Sequence, residues 1–266
     1  MKRLHMLLAA LATLLVLAAP AGAITDGQLD GEGHPYVGLM SAHDANGNPL
    51  WRCTGTLISP TLFLTAGHCT ETPAAHVEIW FDADVQSGYE AGTNGYPFVG
   101  DVGGTPYTHP QYDPSAFFLY DLGIVVLDEP VKMKTYGALP GLNTLDALKP
   151  SNSTRFTSVG YGLQRINPAF FEAERVRMVA NPHLIQINGG IVGDFSLLLS
   201  NNASTGGTCF GDSGGPNFVG NSNVIAGVTS FGLNGTCGGT GGVYRVDRAD
   251  DLDWIATFTA AKQSKR

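Results

Sequence analysis

Short apolar runs recur along most of the chain, each bounded by residues that favour turns: 55-GTLIS-59, 61-TLFLTA-66, 77-VEIWF-81, 122-LGIVVL-127, 176-VRMVA-180, 197-LLLS-200, 224-VIAGVTSF-231 and 243-VYRV-246. Runs of this length and spacing predict β-strands arranged as a sandwich or barrel. One segment breaks the pattern. In 249-ADDLDWIATFTAAKQ-263, Leu252, Ile255 and Phe258 recur at helical spacing, acids stand in the first turn and a lysine near the end. That arrangement suits the helix dipole and predicts a terminal helix docked on the body. The stretch 131–153 holds Pro140, Pro150 and several glycines with little strand pattern, so it reads as a linker. The expected organisation is a first β-rich unit over 24–135 and a second over 136–266.

The start of the chain follows a different logic. Lys2 and Arg3 precede an apolar run from Met6 to Ala19, followed by Ala21-Gly22-Ala23. This is the pattern of a secretory signal peptide over 1–23 with an A-x-A cleavage site. The run is shorter than the ~18 residues of a membrane span. The expected mature chain is secreted and extracellular, starts at Ile24 and has no membrane contact after signal removal.

Composition narrows the function classes. Charged residues are 14% of the chain, hydrophobic residues 43%, and there are 35 glycines. This suits a turn-rich β fold and excludes disorder. Removal of 1–23 takes away two of 15 basic residues and none of 23 acidic ones, which leaves a formal charge of −10. An acidic chain without basic clusters is a poor nucleic-acid binder. Cys53, Cys69, Cys209 and Cys237 form an even set, read as disulfides in an exported protein. Three pairings are possible, and the nearest-neighbour one places a bridge in each half. No two cysteines have zinc-site spacing. The Gly-rich segment 232–242 is no phosphate loop, because no Gly-Lys-Ser/Thr follows it.

The chemistry centres on 210-FGDSGGPNF-218. Gly and Ser are ordinary turn residues, and the segment also fits G-x-S-x-G. A serine hydroxyl becomes a nucleophile only with a base in contact and an acid to orient that base. The seven histidines, His5, His34, His43, His68, His76, His109 and His183, all precede Ser213. That order excludes the Ser-acid-His arrangement of α/β-hydrolases and leaves His-Asp-Ser. His68 follows an apolar strand and precedes Cys69, whereas His34, His43, His109 and His183 sit in polar or Pro-containing loops. Asp121 leads directly into the apolar run 122–127 and risks burial, which a charge tolerates only when paired. Asp113 and Asp128 are alternatives that adjoin prolines and turn signals.

With these residues in view, the chain resembles the chymotrypsin-like (trypsin-like) serine endopeptidases. The matching segments are 53-CTGTLISPTLFLTAGHC-69, 108-THPQYD-113, 121-DLGIVVL-127, 159-VGYG-162, 207-GTCFGDSGGP-216, 228-VTSFG-232 and 254-WI-255. They span most of the mature chain in order. The resemblance implies an all-β fold of two antiparallel six-stranded β-barrels with the active site between them and a C-terminal α-helix. It implies His68 as general base, Asp121 as its orienting acid, Ser213 as nucleophile, and the N–H groups of Gly211 and Ser213 as the oxyanion hole. It also pairs the Ile24 α-amine with Asp212, so that signal cleavage itself would create the activating terminus.

By the same resemblance the substrate slot involves Gly207, Thr208, Phe210, Ser230, Phe231, Gly232 and Gly242. Gly207 stands where members that cut after Lys or Arg carry aspartate. A cation there would be buried without a partner. With Gly232 and Gly242 at the walls, the slot is expected to be open and neutral, favouring a large apolar or aromatic residue. Phe231 replaces a tryptophan that many members carry, and Thr208 and Phe210 flank the entrance. A third cysteine pair is missing, and the segment after Cys69 shows no calcium loop. The expectation is no metal and no cofactor. Asn152, Asn202 and Asn234 begin glycosylation sequons.

The reading is a secreted serine endopeptidase acting on polypeptide substrates as a monomer, with protein inhibitors as further partners. The alternative is a catalytically silent protease-like binding protein, which is disfavoured because all three triad residues and both oxyanion positions are present. N-terminal sequencing of secreted material is expected to begin at Ile24. Any other start would remove the direct-activation idea.

Overall fold

The structure is a computed structural model that describes residues 24–116, 118–167 and 170–263. The signal peptide expected over 1–23 lies outside the described residues. After a two-residue strand β1 (Gln28–Leu29), six strands follow: β2 (Val37–His43), β3 (Pro49–Ser59), β4 (Leu62–Thr65), β5 (His76–Trp80), β6 (Val102–Thr108) and β7 (Gly123–Leu127). They close as a barrel in the order β2-β3-β4-β7-β6-β5, all pairs antiparallel.

The second half holds β8 (Ser151–Gly160), β9 (Arg165–Asn167), β10 (Phe170–Glu172), β11 (Met178–Ala180), β12 (His183–Gln186), β13 (Ser196–Asn201), β14 (Pro216–Val219), β15 (Ile225–Gly232) and β16 (Gly239–Arg245). The order β8-β12-β13-β16-β15-β14 returns from β14 to β8, which closes a second six-stranded ring. Closure leaves neither ring with a free edge. The two-barrel expectation is borne out.

Not every element follows from local pattern. β2 is buried along its whole length, so it lacks the alternation that marks a half-exposed strand. A short helix α1 (Val85–Ala91) buries only Val85 and is defined by its ends. The Asp84 carboxylate accepts the Ser87 N–H at 2.9 Å, and Gly92 closes the turn at φ +67°. Within the expected linker, Leu145 is buried in a short 3₁₀ turn, and β8 already begins at Ser151.

The helix α2 (Ala249–Gln263) forms as expected, and its first turn carries Asp250 and Asp251. It leaves the second barrel and docks on the first. Trp254 meets His109 edge to face at 4.9 Å, and Phe258 meets Tyr107 at 5.2 Å. Such ring pairs contribute about 0.5–1.5 kcal/mol beyond area burial. The Tyr244 hydroxyl donates to Asp251 at 3.0 Å from beneath the helix.

Apolar side chains of both rings meet in one cluster, in which Leu39, Phe63 and Ile124 are joined by Val159, Tyr161 and Phe218. A smaller cluster around Phe156, Leu197 and Val243 fills the second barrel. One buried cation also spans the halves. The Arg177 Nε donates to Asp30 at 2.9 Å, Nη1 to the carbonyls of Val37 and Phe81 and to the Tyr161 hydroxyl, and Nη2 to the Gly31 carbonyl. Burial alone would raise the Asp30 carboxyl, but the bonds from His34 and Arg177 hold it below the usual range.

Removing one member of such a buried pair leaves the other charge uncompensated. Arg177→Met is expected to cost about 3–5 kcal/mol in chemical denaturation. A loss below about 1 kcal/mol would show that the network adds little.

Candidate active site

The site forms where the two rings face each other. Ala66, Gly67, His68 and Cys69 follow β4 in a tight 3₁₀ turn, and Asp121 stands just before β7. Since β4 pairs with β7, a separation of 53 residues in sequence becomes direct contact in space. The Cys53–Cys69 bridge pins the histidine turn to β3, and Cys209–Cys237 ties the serine loop to the 232–242 segment. The nearest-neighbour pairing is the one found.

Asp121 has no exposed surface. Its Oδ1 accepts the His68 backbone N–H at 2.9 Å, and its Oδ2 lies 2.9 Å from His68 Nδ1. The Ser230 hydroxyl donates to Oδ2 at 2.5 Å from β15 of the second ring. With the carboxylate as acceptor, Nδ1 carries the proton and Nε2 is the free base. Burial alone would lower the His68 pKa, but the adjacent Asp121 carboxylate outweighs it, with a smaller contribution from Glu71, so the imidazole lies above its ordinary 6.5.

Ser213 and His68 line one cavity of about 640 Å³, together with Trp51, Arg52, Glu71, Gly211 and Phe231. The Ser213 loop is fixed by Thr54 of the first ring. The Thr54 N–H donates to the Ser213 carbonyl at 2.8 Å, and its hydroxyl to the Gly211 carbonyl at 2.9 Å. Gly211 has φ +94° and Gly214 φ +79°, and a Cβ on Gly214 would collide with the Thr65 hydroxyl. These two positions need glycine. Among the described residues the N–H groups of Gly211 and Ser213 have no hydrogen-bond partner within the protein.

Asp212 is fully buried behind this loop. Its oxygens accept the N–H groups of Gly162 and Cys209, each at 2.8 Å, and burial pushes its carboxyl up to about 7 against the pull of those bonds and of Arg52. Ile24 is also fully buried, but against Met178 and Ala180. In the uncleaved chain its nitrogen is a peptide amide, and among the described residues no hydrogen bond joins it to Asp212.

The expected slot residues divide into two groups. Thr208, Phe210, Ser230, Phe231 and Gly232 line the cavity. Gly207 and Gly242 do not. A Cβ on Gly207 would strike Asn201, and one on Gly242 would strike the Phe231 ring, so both positions are already covered. The open-slot expectation rested on Gly232 and Gly242 lacking side chains; Gly232 does line the cavity, while the Phe231 ring covers Gly242. That expectation did not include what a neighbouring residue places over a glycine.

Sequence reasoning also missed Thr54, Arg52 and the Asp121-binding hydroxyl of Ser230. Each gains its role from a contact more than a hundred residues away in the chain, which no local signal carries. Cys53, His68 and Cys69 gather their ligand atoms within 4.8 Å. Because the two sulfurs bond each other, the group offers a metal one imidazole and no thiolate.

The sequence profile of the trypsin family matches residues 29–255. The chain belongs to the trypsin family of serine proteases. Among its relatives, brachyurin of Leptuca pugilator is 31% identical over 79% of this chain and 88% of that protein. Trypsin of Saccharopolyspora erythraea is 29% identical over 79% of this chain and 87% of that protein. Among solved structures, HL collagenase superposes with a TM-score of 0.69 at 23% identity, covering 89% of this chain and 99% of the other. Human heparin binding protein does so at 0.60 with 22% identity, over 84% and 91%. These two structures support the trypsin-like two-barrel fold.

His68 is expected to titrate above 6.5 when followed by NMR of its ring protons, and clearly lower in Asp121→Asn, where burial dominates. An unchanged midpoint would show that Asp121 does not set the base.

Proposed function

We propose that the protein is a secreted, monomeric endopeptidase that cleaves peptide bonds through an acyl-enzyme. The observation that carries this reading is the Ser230–Asp121–His68 chain, which ends at a free Nε2 in the cavity that Ser213 lines. His68 takes the Ser213 proton as Oγ attacks the scissile carbonyl, then returns it to the leaving amine. Asp121 stabilises the transient imidazolium. The unpaired N–H groups of Gly211 and Ser213 stabilise the oxyanion.

The acyl side of the substrate would pair along Ser230–Phe231–Gly232 as an added strand. The slot takes an apolar or aromatic residue in preference to Lys or Arg, since Glu71, the acid that lines the cavity, acts on His68 and none stands next to Thr208 in the lining. Phe231 over Gly242 makes it shallower than the two glycines alone imply. After cleavage behind Ala23, the Ile24 amine would meet Asp212, whose buried carboxyl stays raised in the uncleaved chain despite the pull of Arg52.

A binding-only role has less support. One fold neighbour is named for heparin binding, but a chain of formal charge −8 is a poor partner for a polyanion. A binding-only role would also leave the His68, Asp121 and Ser213 set that the sequence carries without a purpose.

Ser213→Ala is expected to lower kcat by a factor on the order of 10⁶ with the fold unchanged. Retention of most peptidase activity would overturn the assignment, and wild-type cleavage after Lys or Arg would overturn the neutral slot.

A further inference from the structure

A second hollow, lined by Ser41, Leu50, Tyr89, Tyr96 and Arg175, shares Trp51 and Arg52 with the cavity at Ser213. Arg52 and Arg175 bring two cations together in an acidic chain. Among the described residues neither forms an ion pair. Arg52 uses one of its five N–H donors, on the Ala173 carbonyl at 3.2 Å. The Arg175 guanidinium stacks 4.1 Å over Tyr89 and 4.6 Å from the Tyr96 centroid, with Nη1 on Gln86 at 2.7 Å. Its Nε is buried with no partner at all. An orphaned buried donor on a charged side chain is costly unless something fills it.

The placement of this pair relative to the chemistry is specific. Arg52 Nε lies 3.3 Å, and Nη2 3.4 Å, from where a Cβ on Gly211 would sit. Asp212, which attracts Arg52 electrostatically, is fully buried and already accepts two backbone N–H groups, so it does not cap the guanidinium from the cleft. Glu71 acts on His68 rather than on the arginines. The proposed acyl strand runs along Ser230–Gly232, so the Arg52 end of the cleft is where the leaving segment departs.

We infer that Arg52 and Arg175 form an anionic subsite that selects substrates with an aspartate or glutamate within two residues after the scissile bond. The inference rests on the endopeptidase reading. A carboxylate there would lie within reach of the free Arg52 fork, and its approach would relieve the repulsion between the two guanidinium groups. The subsite sets specificity and takes no part in bond making.

The test uses quenched peptides with one fixed acyl side, amidated C-termini, and Glu, Gln or Lys at each of the two positions after the cleaved bond. Wild type is expected to show kcat/KM about tenfold higher for Glu than for Lys at one of these positions, with Gln between. The preference should shrink in high salt and vanish in Arg52→Gln and in Arg175→Gln. Amidation ensures that a preference for a free terminal carboxylate cannot mimic it. Equal cleavage of the three peptides by wild type would overturn the subsite and leave the endopeptidase reading intact. A preference that persists in the Arg52→Gln, Arg175→Gln double variant would do the same. No cleavage of any peptide by material that starts at Ile24 would overturn both.

Discussion

A carboxylate with no exposed surface holds the site together. Asp121 is inaccessible to water, and a bare ion in that position would cost several kcal/mol. It is tolerated because three donors converge on two oxygens: the His68 backbone N–H, His68 Nδ1 and the Ser230 hydroxyl. Two of those donors come from the turn after β4 and one from β15. Satisfying one buried charge therefore requires both rings to close on each other at this point. The imidazole is held in one tautomer as a by-product of the same constraint, because a carboxylate has only acceptors to offer.

Thr54 complements this from the opposite side. It sits on β3 of the first ring, yet its N–H and hydroxyl hold the carbonyls of Ser213 and Gly211 in the second. These bonds fix the loop that carries the Gly211 and Ser213 N–H groups. The two rings are thus cross-braced twice, once through the acid and once through the serine loop. The relative position of His68 and Ser213 follows from both braces together.

The local signals that made the site legible were those with a single-residue cause. An acid leading into an apolar run predicted a buried Asp121, and 210-FGDSGGPNF-218 marked a loop whose positive φ at Gly211 and Gly214 only glycine adopts easily. The terminal helix was legible because its acids, lysine and apolar positions agree. β2 was not legible, since full burial removes the alternation on which strand reading depends. Nor was α1, whose definition lies in Asp84 and Gly92 rather than in an apolar face. The slot's shape was not legible, because the Phe231 side chain covers Gly242 on a neighbouring strand while Gly232 stays open. Sequence position says which residue lacks a side chain, while the fold decides whose side chain occupies the space.

Gly160 and Gly162 extend the same point to Asp212. A Cβ on Gly160 would strike the Asp212 carboxylate, and one on Gly162 would come within 2.5 Å of it. The segment 159–162 is therefore shaped around a buried acid whose carboxyl sits at about 7, close to the point where it changes charge. Two backbone N–H groups and a distant guanidinium leave it short of a full counter-charge, and a cationic amine delivered into the same space would hold it ionised. Ile24 is already inside the protein, against Met178 and Ala180, with its backbone at φ +59°, which a β-branched residue rarely adopts. A cut behind Ala23 would free the strained residue and create the charge that Asp212 lacks.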